Sequence, residues 1–281
     1  CDLSEWSEWS SCSKMCNTGH MASTRSVIAP AKGEGTCASE FSSSRYLAKK
    51  CNTERCSPSG AFLECNSNVD VVIIFDGSLS LGRLGWWSTK KQVSKLVTAI
   101  LEGNAESRVH LLLYSGPIGK GAWNKILMCS GKKEPDWGAS TMEEVCKMKW
   151  LTPDWTSSMQ DTLKAITTAE WPMGTTLTSM ALGLAETAFA SAREDAKKRV
   201  VVFTDGKPMF KDHTYEAAAR LKQKAELFWV PVTTSAPPIE VISKWASSPS
   251  DEHLVPAKTW ANLWTFDFTN EIVADVCPSV N

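Results

Sequence analysis

The sequence predicts a doubly wound, Rossmann-like α/β domain with a central parallel sheet, preceded by a small disulfide-rich segment. Three observations carry this expectation. Two unbroken β-branched runs, Val71-Val72-Ile73-Ile74-Phe75 and Val200-Val201-Val202-Phe203, have the composition of strands buried on both faces. Strand-like runs then alternate with helical periodicity, as expected of a sheet with helices on both sides. Finally, six of the ten cysteines fall within the first 56 residues, a density expected where a segment is too small to build its own core.

Residues 1–57 open with Trp6-Ser7-Glu8-Trp9-Ser10-Ser11-Cys12-Ser13-Lys14-Met15-Cys16 and continue through Gly19, Arg25, Cys37, Cys51 and Cys56. Aliphatic residues are few, so cross-links must replace a core. The remaining cysteines are Cys65, Cys129, Cys146 and Cys277, and the even count in each half favours full pairing in an oxidising compartment. Zinc is the competing reading for the short pairs Cys12/Cys16 and Cys51/Cys56, but no histidine cluster joins them. Trp6 and Trp9, with Arg25 and Arg45 downstream, permit stacking of indole and guanidinium planes, each contact contributing about 0.5–1 kcal/mol.

This segment resembles the thrombospondin type 1 repeat, whose W-x-x-W-x-x-C-S-x-x-C opening it matches. The resemblance implies a three-stranded strip with a stacked ladder of Trp6, Trp9 and Arg25. It also implies the disulfides Cys1–Cys37, Cys12–Cys51 and Cys16–Cys56, and C-mannosylation at Trp6. The family's O-fucose position is occupied by Met15, so that modification is not expected. Seven Lys+Arg face six Asp+Glu in residues 1–57, so sulfated-glycan binding would need a local strip of Lys14, Arg25, Lys49 and Lys50.

A turn-rich linker, Ser57-Pro58-Ser59-Gly60, suggests domains at 1–57 and 65–281 joined by 58–64. Val93, Leu96, Val97, Ile100 and Leu101 mark a helix over roughly 84–103, and Val109 to Tyr114 a strand. Leu177, Met180, Ala181 and Leu184 define a second helix face ahead of the Val200 strand. Tyr215, Ala218 and Leu221 indicate a third helix, and 227–232 another strand. A short helix near 238–246, a short strand near 253–256 and a terminal helix holding Leu263, Ile272, Val273 and Val276 complete the pattern.

The two core runs end in Asp76-Gly77-Ser78-Leu79-Ser80 and Thr204-Asp205-Gly206. Ligands of open α/β sheets sit at the carboxyl ends of the strands, and acidic plus hydroxyl groups placed there suit a hard cation. Either stretch alone could be an ordinary turn.

Together with Gly174-Thr175-Thr176, they resemble the von Willebrand factor A, or integrin I, domain: D-x-S-x-S, then G-x-T, then T-D-G. The resemblance spans about 66–277, with 117–155 as an irregular elaboration. It implies that Cys65 and Cys277 clasp the domain's ends and that Cys129 and Cys146 tie the elaboration. It further implies a metal-ion-dependent adhesion site of Asp76, Ser78, Ser80, Thr176 and Asp205, with Thr175 and Thr178 as neighbouring hydroxyls. Mg²⁺ is the expected cation, with Mn²⁺ or Ca²⁺ as alternatives. Neutral hydroxyls leave the metal electrophilic enough for an acidic residue of a partner protein to complete its coordination. The family also implies a closed-to-open switch in which the last helix moves. The combination of modules resembles the TRAP-family and micronemal adhesins of apicomplexan parasites, although here the repeat comes first.

Other chemistry is thin. A net charge of -1 and a pI near 6.5 argue against nucleic-acid or anionic-membrane binding. No run approaches the roughly 20 apolar residues of a membrane span, and no signal peptide precedes Cys1, so the chain reads as a mature ectodomain or part of one. His20, His110, His213 and His253 lack metalloprotease spacing, and no nucleophile elbow or P-loop is present. Trp86 and Trp87 are expected in the core or helix packing before any framing of a ligand face. The expectation is a non-enzymatic extracellular adhesion module. Its rivals are a structural component of an extracellular filament and a regulatory part of a larger secreted enzyme.

Overall fold

The computed structural model describes residues 1–14, 16–33, 35–54, 61–130, 141–205, 207–232 and 239–281. The chain divides into two units, Cys1–Pro58 and Ser59–Asn281.

The first unit holds β1 (Asp2–Leu3), β2 (Gly19–Thr24), β3 (Val27–Ala29) and β4 (Tyr46–Cys51). β1 pairs with β3, and β2 pairs with β4 from Gly19↔Cys51 to Thr24↔Tyr46, both antiparallel. A third layer is formed by residues 4–13, which contain no regular strand. Ser4, Ser7, Ser10 and Ser13 donate their N–H groups to the carbonyls of Ser26, Thr24, Ala22 and His20, at 2.8–3.0 Å. The same four serine hydroxyls accept from the N–H groups of Ser26, Thr24, Ala22 and His20 in return. Each serine therefore supplies two bonds, and the chain advances three residues per rung. That step matches the spacing of Trp6 and Trp9.

Arg25 lies over Trp6, 5.5 Å from the ring centroid. The cation over Trp9 is Lys49, at 4.3 Å. Arg45, which the sequence offered as a stacking partner, instead donates to the carbonyls of Arg25 and Ala38. Disulfides join Cys1 to Cys37 and Cys12 to Cys51. Cys16 is also disulfide-bonded, and its expected partner Cys56 lies outside the described residues, as does Met15. Lys14 is buried, which removes it from any surface strip that could meet a glycan.

Among the described residues, the second unit is built on a five-stranded sheet with one antiparallel edge strand. β5 (Val69–Asp76) is buried along its whole length, with β6 (Arg108–Tyr114) and β8 (Lys197–Thr204) parallel on either side. β9 (Glu226–Pro231) extends the sheet in parallel, and β7 (Lys149–Trp150) closes the other edge antiparallel. Alternation along β5 feeds two cores. Val72 and Ile74 pack in one cluster with residues of α4 (Thr178–Ala188) and α5 (Lys211–Leu221). On the opposite face Phe75 stacks on Trp86 of α1 (Gly82–Gly103), 6.1 Å between centroids. α3 (Met159–Thr168) and α7 (Phe266–Val276) pack against α1.

A charge at the foot of β5 has an evident partner set. Asp70 is fully buried and accepts hydrogen bonds from Arg108 and Arg193 at 2.6–3.2 Å. Burial pushes its carboxyl up, and the two guanidinium groups outweigh this and hold it below the usual range.

Several elements differ from the sequence expectation. The elaboration contains α2 (Ala122–Cys129), a helical turn at Thr141–Val145 and the edge strand β7. α3 was not foreseen, although Met159, Leu163 and Ile166 recur at helical spacing and the Ser158 side chain caps it by accepting from the Asp161 N–H. The segment near 253–256 forms no continuous strand but runs parallel beside β9 through the bridges Leu254↔Trp229 and Ala257↔Val232, with the Val255 N–H donating to the Trp229 carbonyl at 2.9 Å. Near 238–246 the helix α6 spans only Ile239–Ile242. Leu263 belongs to a separate 3-10 turn, Trp260–Trp264, because Thr265 caps α7 anew. His110 is buried and stacked on Trp150 at 3.8 Å, and burial lowers its pKa. Trp86 is buried, and Trp87 is half exposed and edge-on to Trp264.

Disulfides close the elaboration, Cys129–Cys146, and clasp the ends of the domain, Cys65–Cys277, across a separation of 212 residues. A cross-link over so long a loop restricts the unfolded chain strongly. Replacing both Cys65 and Cys277 by Ala is expected to lower stability by roughly 2–5 kcal/mol. Urea denaturation of the second unit measures this, and an unchanged midpoint would contradict it.

Candidate metal centre

β5 delivers Asp76 to the carboxyl edge of the sheet, and the chain then turns through Gly77 to Ser78 and Ser80. The turn is tight: a side chain on Gly77 would sit 2.6 Å from the Pro172 ring. Asp76 is fully buried. Its Oδ1 accepts from the Ser78 N–H at 2.7 Å, and its Oδ2 from the hydroxyls of Thr204 at 2.8 Å and Tyr114 at 3.3 Å. Parallel register places Tyr114 opposite Asp76, and it brings the end of β8 alongside.

Ser78 and Ser80 hydroxyls lie 3.0 Å apart, and Ser80 donates to Asp205 Oδ1 at 3.1 Å. Ser78 and Asp205 are buried, whereas Ser80 is exposed, so the cluster opens to solvent on the Ser80 side. Gly206 of the same motif lies outside the described residues.

The loop carrying Thr176 is fastened to both of these segments. Met173 N–H donates to the Gly77 carbonyl, and the Gly174 carbonyl accepts from Leu79 N–H. On the other side the Thr176 carbonyl accepts from Met209 N–H at 2.9 Å. Gly174 is required here by close approach, since a Cβ would fall 1.8 Å from the Gly116 carbonyl oxygen. Of the three candidate hydroxyls, Thr175 donates to the Pro117 carbonyl and Thr178 pairs with Tyr114. Thr176 is buried, and its hydroxyl is engaged by neither of these partners.

The structure thus gathers Asp76, Ser78, Ser80 and Asp205 into one hydrogen-bonded cluster and straps the Thr176 loop across it. Tyr114 and Trp171 were not singled out by the sequence, and Thr204 was named only as part of the T-D-G stretch. Thr204 and Tyr114 hold Asp76 from behind, and the Trp171 indole donates to the Ser78 carbonyl at 3.3 Å. Only Thr204 had a legible signal, its place directly before Asp205.

Electrostatics test whether a cation suits this donor set. Asp76 is pushed up to about 7, first by burial and then by the charge of Asp205. The Tyr114 hydroxyl is raised well above its ordinary value by burial and by Asp76, so it remains a donor. Two carboxylates that repel one another, surrounded by oxygen donors, fit a hard divalent cation. Among the described residues no group of three or more His, Cys, Asp or Glu is placed to hold a metal, so a cation here depends on hydroxyl oxygens.

Comparison with known proteins identifies the fold that carries these loops. The von Willebrand factor type A domain model matches residues 70–269, and the chain belongs to that family. The thrombospondin type 1 domain model matches residues 4–56. Spondin-1 of Rattus norvegicus is 42% identical over 52 residues, covering 18% of this chain and 6% of that protein. Among solved structures, proximal thread matrix protein 1 of the mussel byssus aligns with a TM-score of 0.58 at 15% identity. It covers 76% of this chain, which spans 49% of that one. A second structure of it has a zinc-occupied MIDAS motif, TM-score 0.55. Manganese-loaded Plasmodium vivax TRAP protein aligns at a TM-score of 0.47 and 18% identity, covering 78% of this chain and 77% of that one. No helix among the described residues is long and apolar enough to cross a membrane.

Metal-free protein should show the Asp76 titration in its stability. The folded state keeps the Asp76 proton to about pH 7, whereas the ordinary carboxyl loses it near 3.8. The folded form therefore binds more protons between those values, and stability falls as pH rises through that window. Mg²⁺ is expected to offset the fall by favouring the ionised pair. Thermal denaturation at about pH 5 and about pH 8, in EDTA and in Mg²⁺, measures this; a flat profile in EDTA would contradict it.

Proposed function

We propose that this chain is an extracellular, non-enzymatic adhesion module whose A domain grips an acidic residue of a protein partner through a divalent cation. Both of its modules are of kinds that bind proteins outside cells. The observation carrying the reading is the gradient across the cluster, with Asp76 fully buried and Ser80 exposed.

Mg²⁺ is the cation this donor set suits best, because it favours oxygen ligands and keeps waters that a partner can replace. Ser78, Ser80 and Thr176 would hold it directly. Both Asp76 oxygens already accept hydrogen bonds from the protein, which suits a carboxylate acting through bound water. Asp76 and Asp205 would balance the ion's charge. When bound, the cation supplies an electrophilic site for a carboxylate.

The rim refines the partner. Leu79 is 59% exposed, Met173 43%, Met209 38% and Ile118 48%. Leu79, Met173 and Met209 are each tied by a backbone hydrogen bond within the loops around the cluster, and Ile118 follows the Pro117 carbonyl that anchors Thr175. We infer that the partner's acidic residue is flanked by apolar side chains. Methionines on such a rim allow it to adapt to more than one shape. On the repeat, Arg25, Lys49 and Lys50 remain as the cations available to a sulfated glycan.

Selection of a randomised surface-displayed peptide library on the domain tests the reading. In Mg²⁺, sequences with Asp or Glu between apolar residues should be enriched, and EDTA should release them. Asp76→Ala or Thr176→Val should weaken the selected peptides by about tenfold or more without loss of fold. Leu79→Gln with Met173→Gln should weaken peptide binding while Mg²⁺ affinity stays unchanged. Peptides retained in EDTA would overturn the metal reading. Assembly of the chain with itself, unaffected by EDTA, would favour a matrix role instead.

A further inference from the structure

Away from the metal loops, the second unit contains a cavity of about 340 Å³ between α1, Leu163 of α3 and the segment leading into β5. This volume lies at the small end of the range for small-molecule sites. Phe62, Leu63, Ala99 and Leu163 contribute its apolar walls.

Charge is distributed unevenly along it. Lys91, Lys95, Thr98 and Glu102 follow one another at four-, three- and four-residue steps, so they share one stripe of α1. Lys91 and Glu102 are about 16 Å apart along the helix axis. Glu64 lies at the Glu102 end, because the adjacent Cys65 N–H donates to the Ala99 carbonyl and Cys65 packs directly on Gly103. The cavity is therefore a trough, cationic at one end and acidic at the other.

The cationic end is poised for an anion. Lys95 Nζ sits 5.8 Å from the ring centroids of Phe62 and Phe266 and donates to the Trp264 carbonyl at 3.0 Å. Burial and the neighbouring charge of Lys91 both lower its pKa. Lys91 lies over the Trp87 ring at 5.1 Å. Neither lysine has a carboxylate within ion-pair distance among the described residues. Two neighbouring cations without a counter-charge, beside an apolar trough, complement a single anionic head on an apolar chain. Glu64 and Glu102 disfavour a second anionic group at the far end.

We propose that this trough binds an amphiphilic carboxylate of the fatty-acid class, its head at Lys91 and Lys95 and its chain along Phe62, Leu63, Ala99 and Leu163. The site is separate from the metal centre and does not rest on the adhesion reading.

Isothermal titration of the whole chain with laurate, below its micelle concentration, tests this, with dodecylamine as the cationic counterpart. Laurate should bind saturably, unaffected by EDTA, and dodecylamine should bind at least tenfold more weakly. Lys91→Glu combined with Lys95→Met should weaken laurate at least tenfold, and Thr98→Trp, which fills the trough, should do the same. Circular dichroism checks that each variant folds, and the two act on different parts of the site. Absence of saturable laurate binding, equal affinity for dodecylamine, or unchanged affinity in both folded variants overturns the proposal. Binding of an acidic amphipathic peptide in place of laurate would likewise overturn it, since the trough would then be a protein interface.

Discussion

A buried carboxylate at the end of the central strand places the strongest constraint on the A domain. Asp76 lies out of solvent with three protein donors and with Asp205 close enough to oppose its ionisation. Isolated burial of such a charge is costly, so the surrounding loops cannot be arranged freely. Ser78 must fold back to donate its N–H, Thr204 must end β8 alongside, and Tyr114 must end β6 on the other side. A divalent cation placed there would offset the remaining repulsion between the two carboxylates.

Precision at this site comes from backbone packing more than from its hydroxyl and carboxyl side chains. Gly174 approaches the Gly116 carbonyl too closely for any Cβ, and Gly77 meets Pro172 in the same way. These contacts fasten three separate chain segments into one surface. The exposed apolar residues on that surface are consequences of the fastening, since Leu79, Met173 and Met209 have their backbones bonded inward and their side chains left outside. The repeat uses a different economy. With little apolar material, it obtains two hydrogen bonds from each of four serines and sets its tryptophans beside cations.

Much of this was legible before folding. The β-branched runs identified β5 and β8 because parallel central strands bury both faces and leave no polar alternation. Asp76, Ser78, Ser80 and Asp205 were legible because strand-end loops carry the polar groups of α/β sheets. The serine repeat at positions 4, 7, 10 and 13 stood in plain view and was passed over, since a three-residue period belongs to neither a helix nor a flat strand. α3 carries a readable pattern as well, since Met159, Leu163 and Ile166 keep helical spacing behind the Ser158 cap. Lys49, which the sequence did not offer as a stacking partner, lies over Trp9 because the pairing of β2 with β4 decides which cation reaches the ring.

By itself the sequence determined the two modules, the sheet that carries the site and the residue types offered to a cation. These are local properties, set by side-chain period, strand-end polarity and cysteine density. Tertiary structure alone decided that Pro117 and Tyr114 engage the hydroxyls of Thr175 and Thr178 and not that of Thr176. It alone also placed Tyr114 behind Asp76 and set Lys91 and Lys95 beside an apolar trough with no carboxylate of the described residues within ion-pair distance. Those outcomes depend on which distant segments meet, and chain order does not encode a distance.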